Sequence, residues 1–184
     1  SIPTGLWIGQ IFFKKNLREY GSGNTGTTNT FRILGKTAGT ATFAIDFFKG
    51  TLATLLPLFL HIDGISPLIF GLLAVIGHTF PIFAGFKGGK AVATSIGVFL
   101  PLTFWQLLIA AVLCLLVIWR SRYVSLGSLT LMTVLPLLLL FSGVWSWLPL
   151  SLCLLVLVVW KHRENIIRLL TGTEKSWLKS KHKE

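Results

Sequence analysis

GHTFPIFAGFKGGKAVATS, residues 77–95, places two lysines and a glycine pair between two apolar runs of membrane-spanning character. Charge beside a bilayer is costly, so flexible backbone with fixed positive charge indicates a site for an anion. Gly88 and Gly89 stand just before a predicted helix, whose N–H groups and positive end favour an anion. Because Ala91 and not Ser or Thr follows Lys90, the stretch is not a nucleotide-binding P-loop. On these residues alone, a plain interfacial turn explains the pattern equally well.

The composition is that of an integral membrane protein. Of the 184 residues, 53% are hydrophobic and only 12% are charged, far from the usual soluble domain. The formal net charge of +11 is explained more simply by basic membrane loops than by nucleic-acid binding. The two cysteines lie in apolar runs, and the four histidines show no ligand spacing, so no metal is expected.

Apolar runs separated by polar loops predict an all-α polytopic membrane protein with seven transmembrane helices. The first run, residues 1–13, is shorter than the ~20 residues of a span, so it is interpreted as a helix truncated at its N-terminus. The other spans are predicted at residues 38–60, 68–77 and onward to Pro81, two helices on either side of Pro101, 126–141 and 148–160.

The basic residues test this topology. Sixteen of the 17 lysines and arginines fall in residues 14–36, 87–90, 120–122 and after 160, which share one side of a seven-span arrangement. The positive-inside rule makes that side cytoplasmic, with the N-terminus outside and the C-terminus inside. The chain is interpreted as one domain, residues 1–184, with a basic cytoplasmic tail from about 175.

The exception is Lys49, which lies inside a predicted span three residues after Asp46, on the same helical face. Charges at that depth pair with each other or face the bundle interior. A structural ion pair and the wall of a site are equally expected here.

Three polar clusters share the predicted cytoplasmic side: GSGNTGTTNTFR (21–32), residues 77–95, and KHRENIIRLLTGTE (161–174). If they converge, they form a pocket suited to a phosphate-bearing ligand. Its cations and hydrogen-bonding side chains would be Arg32, Lys87, Lys90, Ser22, Thr28 and Asn29. For the first cluster, a flexible Gly/Thr/Asn linker is the alternative.

In the third cluster, His162 and Asn165 are three residues apart and share a helical face, with Glu164 turned away. Histidine can transfer protons near neutral pH, and asparagine can orient it or bind a hydroxyl. The alternative is a basic interfacial helix held by anionic lipids, with His162 incidental. The role of His78 is also open, since it could cap a helix end as easily as reach a ligand.

Taken together, the three motifs resemble those of the bacterial acyl-phosphate:glycerol-3-phosphate acyltransferase family. DFFKG (46–50) and RYVSLGS (122–128) are similar as well, and the resemblance covers essentially the whole chain. It implies transfer of a fatty acyl group from acyl phosphate to the 1-position of sn-glycerol 3-phosphate, for phospholipid biosynthesis in the bacterial inner membrane. It implies no metal, coenzyme A thioester, acyl carrier protein or obligatory protein partner. The expected partners are both substrates and membrane lipids.

The same resemblance implies residue roles. The catalytic set would be Ser22, Arg32, His162 and Asn165. The substrate-binding set would be Asn24, Thr28, Asn29, Gly88, Gly89, Lys90 and Ser125, with the glycine pair and Lys90 holding glycerol phosphate. The family usually has glycine where this chain has Ala91, so a requirement for positive φ there would make this loop differ.

The expected mechanism is direct attack of the glycerol 1-hydroxyl on the acyl carbonyl, largely by positioning. Either His162 or a phosphate oxygen takes the proton, and an acylated Ser22 is the minor route, because no base adjoins it in the sequence. A transporter of anionic solutes is the other functional class, supported by the charges inside a span. The gathering of polar motifs on one face, without visible inverted repeats, favours the enzyme.

Overall fold

The computed structural model describes residues 1–62 and 64–177, and all regular elements among them are helical, which confirms the all-α prediction. The α-helices are α1 (Thr4–Phe13), α2 (Thr27–Leu34), α3 (Lys36–Phe59), α4 (Pro67–Thr79), α5 (Val92–Phe99), α6 (Phe104–Ser121), α7 (Val124–Phe141), α8 (Leu148–Lys161) and α9 (Arg163–Leu170). They fall into two compact units, Ser1–Leu102 and Thr103–Glu184.

The chain is a multi-pass membrane protein. Within the described residues, four helical segments are long and apolar enough to cross a bilayer: Lys36–Phe59, Pro67–Ala84, Phe104–Ser121 and Val124–Phe141. A fifth candidate is Trp145–Lys161 with Arg163–Leu170, two helices bent by 62° at their junction. The apolar helices α1 and α5 have only 10 and 8 residues. Helix length therefore supports four or five passes, where the sequence predicts seven.

Prolines end two helices where the sequence predicts a break. Helix α4 ends at Thr79, and Pro81 precedes a single 3₁₀ turn, Ile82–Ala84. Pro101 lies between α5 and α6, and α5 is short as expected. Proline lacks the N–H that would continue the helical ladder, so both breaks follow from its chemistry.

Helix α2 lies in the polar segment between two predicted spans, for which a flexible linker was the alternative interpretation. Its first four residues are threonines and an asparagine, which have modest helix propensity, so local sequence gives little indication of it. The alternative of a flexible linker is wrong for this part of the first motif. The helix packs against α1 and α3, and this tertiary packing stabilises it.

In the first unit, α3 packs against α1, α2, α4 and α5. Gly50 of α3 and Gly97 of α5 let the two backbones touch, because a Cβ on either would overlap backbone atoms of the other helix. Small residues at such crossings are typical of helix pairs in membranes. This contact holds the short α5 against α3, and with it the loop that precedes α5.

In the second unit, α7 packs against α6 and α8. Gly127 allows the close approach of α7 to α6, since a Cβ there would overlap Ile118. Helix α9 begins directly after His162, where the chain bends. Most of the predicted basic tail, residues 178–184, lies outside the described residues, as does residue 63.

Candidate active site

Two glycine loops lie side by side in the first unit. A Cβ built on Gly26 would be 4.0 Å from the Cα of Gly89. Helix α2 begins directly after Gly26, and α5 begins at Val92, three residues after Gly89. The first N–H groups of a helix have no partner within the helix, and that end is partly positive. The first two polar clusters of the sequence therefore meet and bring two helix N-termini close together.

Asn29 organises the first of these loops. Its side chain is only 2% exposed. The two N–H groups of Nδ2 are shared among three carbonyl oxygens, those of Leu17 at 3.2 Å, Tyr20 at 3.1 Å and Asn24 at 2.9 Å. Oδ1 accepts from the Ser22 N–H at 3.0 Å. The family resemblance implies a substrate-binding role for Asn29. In the structure, its amide instead forms hydrogen bonds that hold the loop backbone in place.

The other candidate side chains of the first motif lie around this framework. Ser22 is exposed, while Thr28 and Arg32 are half-buried. Thr28 and Arg32 are four residues apart on α2 and so share one helical face. Asn24 Oδ1 accepts from the Gly26 N–H at 2.8 Å and closes the turn before α2. One face of α2 thus combines a hydroxyl and a guanidinium, on the helix that begins directly after Gly26.

The second loop, residues 87–91, contains the other two predicted cations, and Lys87 is exposed. Lys90 is half-buried, between Gly89 and Ala91, which are both buried. Ala91 has φ +62°, the left-handed conformation that favours glycine. The family usually has glycine at this position, and the loop was expected to differ if the position requires a positive φ. The loop of this chain therefore contains a strained alanine immediately before α5.

Arg18 ties the second loop to the start of the first motif, a role the sequence analysis missed. Its Nη2 donates to the carbonyl oxygens of Ala84 at 2.5 Å and Lys87 at 2.8 Å. The Arg18 guanidinium therefore binds the backbone on both sides of the turn that leads into Gly88. Nothing in the sequence distinguishes Arg18 from the other basic residues of its segment, because its partners are backbone atoms 66 and 69 residues away.

Asp46 and Lys49 form an ion pair in the first unit, one of the two expected arrangements. Lys49 Nζ lies 2.6 Å from Asp46 Oδ1, and the Asp46 side chain is almost fully buried. The same carboxylate oxygen accepts from Thr4 Oγ1 at 2.8 Å, and Lys49 donates to the Ile2 carbonyl oxygen at 3.2 Å. The pair therefore also connects α1 to α3.

In the second unit, Glu174 is the acceptor around which the third motif is arranged. Oε1 accepts from Ser125 Oγ at 2.7 Å and from Asn165 Nδ2 at 2.6 Å, and Oε2 accepts from Arg168 Nε at 2.8 Å. Burial by itself raises the pKa of Glu174. The hydrogen bonds from Ser125, Arg168 and Asn165, together with the Arg168 charge, outweigh burial and hold the pKa below its ordinary value.

The sequence analysis missed this role of Glu174 although the residue ends the third motif. One available indication was that Glu164 and Glu174 are the only acids among the basic residues 161–177. Glu164 is exposed, whereas the Glu174 side chain is only 6% exposed. Two predicted site residues, Ser125 and Asn165, share this one carboxylate.

His162 lies at the junction of α8 and α9 and is 3% exposed. Its Nδ1 is 2.8 Å from the Val158 carbonyl oxygen. A carbonyl oxygen can only accept, so Nδ1 bears the hydrogen and Nε2 of the neutral ring is the acceptor nitrogen. Asn165 is buried as well, while Glu164 is exposed, in agreement with the predicted helical face.

Other candidate ligands are dispersed. Across residues 1–62 and 64–177, no three His, Cys, Asp or Glu side chains are grouped so as to hold a metal ion. Cys114 is a buried free thiol, and Cys153 is an exposed one. The prediction for His182 falls outside the described residues.

Comparison with known proteins identifies the family. Residues 1–172 match the family model of glycerol-3-phosphate acyltransferases. The chain belongs to this family. It is 62% identical over 179 residues to the glycerol-3-phosphate acyltransferase of Streptococcus sanguinis strain SK36, covering 92% of this chain and 82% of that protein. It is 55% identical over 183 residues to that of Desulfovibrio desulfuricans strain ATCC 27774, covering 100% and 82%.

Two crystal structures of PlsY (YgiH), an integral membrane glycerol 3-phosphate acyltransferase, have the same fold. The glycerol 3-phosphate form aligns with a TM-score of 0.85 at 38% identity, covering 94% of this chain and 89% of that one. The lysophosphatidic acid form aligns with a TM-score of 0.79 at 37% identity, covering 94% and 91%. This acyltransferase family and fold agree with the resemblance drawn from the three motifs.

Proposed function

We propose that the chain transfers a fatty acyl group from acyl phosphate to the 1-position of sn-glycerol 3-phosphate, releasing lysophosphatidate and phosphate. Family membership supports acyl transfer to glycerol 3-phosphate. The observation that carries the proposal is the close approach of Gly26 and Gly89, which brings two polar motifs and two helix N-termini together. Both substrates bear phosphate groups, and such a surface is suited to phosphate.

The first unit supplies the phosphate contacts in this proposal. Arg32 offers a planar fork of donors, and Lys90 offers a compact positive charge beside the glycine pair. Charge-assisted hydrogen bonds contribute about 1.5–3 kcal/mol each, so either cation has a substantial share in substrate affinity. Asn24 and Asn29 shape the loop, while Ser22 and Thr28 offer hydroxyls to the substrate.

The chemical step is an acyl substitution. The 1-hydroxyl oxygen of glycerol 3-phosphate forms a bond to the acyl carbonyl carbon, and the bond from that carbon to the phosphate oxygen breaks. Phosphate leaves with the electron pair. Because an acyl phosphate is already activated, holding the two reacting atoms in line provides much of the rate.

His162 is the acceptor for the hydroxyl proton in this proposal. The Nδ1–H of His162 donates to Val158, so the ring's Nε2 is the nitrogen able to accept that proton. Asn165 and Ser125 are held by Glu174, which limits their rotamers. Side chains fixed in this way bind substrate without a further loss of conformational freedom.

For membrane topology we propose seven passes, with the N-terminus outside and the polar motifs and C-terminus on the cytoplasmic side of the bacterial inner membrane. Helix α5, about 12 Å long at 1.5 Å per residue, spans together with the non-helical loop before it. Non-helical backbone is tolerated at membrane depth where protein covers it, and Gly89 and Ala91 are buried. The proposal treats the chain as one acyltransferase domain.

The test is purified protein in lipid nanodiscs, supplied with acyl phosphate and glycerol 3-phosphate, with phosphate and lysophosphatidate measured together. We expect equal amounts of both products, formed only when both substrates are present. Lys90→Ala should raise the KM for glycerol 3-phosphate at least about tenfold. The control is Lys36→Ala, at an exposed lysine that begins α3. Two results would contradict the proposal. One is lysophosphatidate formation only when an acyl thioester replaces acyl phosphate as the donor. The other is accumulation of glycerol 3-phosphate in vesicles without an acyl donor.

A further inference from the structure

A buried histidine lies directly beneath the glycine loop. His78 is near the end of α4 and is 8% exposed. A Cβ on Gly89 would overlap His78 Nε2, and a Cβ on Gly88 would overlap the His78 carbonyl oxygen. The Gly88 N–H donates to the Thr79 carbonyl oxygen at 3.1 Å. Both glycines of the loop therefore rest on the last turn of α4, and the ring of His78 lies against Gly89.

The opposite edge of the ring meets the ion pair. Lys49 Nζ lies 2.8 Å from His78 Nδ1, and Asp46 Oδ1 lies 3.5 Å from the same nitrogen. An ammonium group has three donors and no acceptor. Lys49 directs these donors to Ile2 O, Asp46 Oδ1 and His78 Nδ1. Nδ1 is therefore the acceptor, and the hydrogen of the neutral ring is on Nε2.

The carboxylate explains why the lysine is directed this way. Asp46 is 1% exposed and takes both the Lys49 ammonium and the Thr4 hydroxyl on Oδ1. A buried carboxylate is costly unless it is paired, so the ammonium is held beside it. A protonated His78 would point an N–H at that ammonium, which the same geometry disfavours.

We infer that Asp46 and Lys49 keep His78 in the tautomer with hydrogen on Nε2, and that His78 thereby positions the Gly88–Gly89 loop for the phosphate of glycerol 3-phosphate. His78 is a positioning residue in this scheme, because it acts through the loop. The inference rests on the phosphate-binding role proposed above for Gly88, Gly89 and Lys90. The same residues acting only as an anchor for α1 would affect stability without affecting substrate affinity.

The first experiment reads the tautomer directly. In protein with ¹⁵N-labelled histidine, side-chain nitrogen shifts distinguish hydrogen on Nδ1 from hydrogen on Nε2, and His78→Gln assigns the resonance. We expect the Nε2–H form in the wild-type protein, converted to a mixture of forms in Lys49→Met. An Nδ1–H form in the wild-type protein would overturn the inference, and this result needs no enzymatic activity.

The second experiment separates positioning from folding by enzyme kinetics. Glutamine places an amide N–H near the Nε2 position of histidine, whereas asparagine places its amide near Nδ1. We expect His78→Asn and Lys49→Met to raise the KM for glycerol 3-phosphate about tenfold, with kcat and the KM for acyl phosphate within about threefold. His78→Gln should restore much of the affinity.

Thr4→Val is the matched control, because it removes a hydrogen bond to Asp46 but leaves the Lys49 to His78 contact. It should lower thermal stability and leave the KM for glycerol 3-phosphate unchanged. Equal effects of glutamine and asparagine at His78, or loss of stability with no change in KM, would refute the positioning role. If Lys90→Ala also leaves this KM unchanged, the proposed phosphate loop is wrong, while the tautomer result stands by itself.

Discussion

Asn29 holds the backbone of Ser22, whose N–H donates to Asn29 Oδ1 at 3.0 Å, while the two N–H groups of the Asn29 amide are shared among three carbonyl oxygens. In Asn29→Asp the donor is lost and a carboxylate faces those oxygens. Unpaired buried groups of this kind cost about 1–3 kcal/mol each. We therefore expect kcat/KM to fall at least about 100-fold, with a lower melting temperature. Initial rates and a thermal melt measure the two effects.

Asn16→Asp is the control for this change. Asn16 Oδ1 accepts from the Arg18 N–H, and an aspartate retains this acceptor. The lost donor contact, to Glu19, is exposed. Activity should stay within about threefold, as is usual for changes at exposed hydrogen bonds. Comparable losses in Asn29→Asp and Asn16→Asp would contradict the role assigned to Asn29.

The hydrogen-bonded carboxylate of Glu174 indicates that the second unit loses stability in acid. Its folded-state pKa lies below the ordinary value of 4.5, so its stabilising contribution is complete above that value and is lost as the pH falls through the folded pKa. Glu174→Gln replaces the carboxylate that accepts from Arg168. We expect its melting temperature at neutral pH to fall by about 3–8 °C. The wild-type protein should keep this advantage above about pH 4.5 and lose it progressively as the pH falls further below that value.

Glu164→Gln is the matched comparison, because Glu164 is exposed and lies 3.9 Å from the same arginine. Exposed ion pairs contribute about 0–1 kcal/mol, so this variant should follow the wild-type curve across the pH range. If the melting temperatures of the wild type and Glu174→Gln fall in parallel as the pH is lowered, the Glu174 carboxylate does not stabilise the unit.

The left-handed conformation of Ala91 indicates that substitution by glycine stabilises the protein. A left-handed alanine costs about 1–2 kcal/mol, and the greater freedom of glycine in the unfolded chain offsets about 0.4–1 kcal/mol of that. With φ at +62°, Ala91→Gly should be more stable by about 0.5–1 kcal/mol, which raises the melting temperature by about 1–4 °C. Differential scanning fluorimetry in detergent measures this shift.

Ala93→Gly is the control and should lower the melting temperature. Ala93 lies within α5, where glycine costs about 1 kcal/mol relative to alanine. The two sites lie two positions apart, with Ala91 buried in a left-handed conformation and Ala93 half-buried in a helix. If both substitutions lower the melting temperature, Ala91 is not a source of strain.

Local sequence was sufficient for much of the helical framework. The prolines at 81 and 101 mark observed breaks, and the run predicted to span at residues 38–60 is helical over Lys36–Phe59. Helix α2 was not predicted, because threonine and asparagine give weak helix propensity and its stability comes from packing. The seven passes stay a prediction, because helix length among the described residues supports four or five, and an apolar run does not reveal that α5 has only eight residues.

By itself the sequence determined the membrane class, the helical framework and the three polar motifs, because hydrophobicity and residue type are local properties. Only the tertiary structure decided which partner each polar group has. Arg18 meets Lys87 across 69 residues, and Ser125 meets Glu174 across 49. Periodicity places a side chain on a face but contains no information about which distant atom that face meets. Buried polar groups must find partners wherever packing brings them, and so the loop that leads into Gly88 depends on Arg18, which lies outside all three motifs.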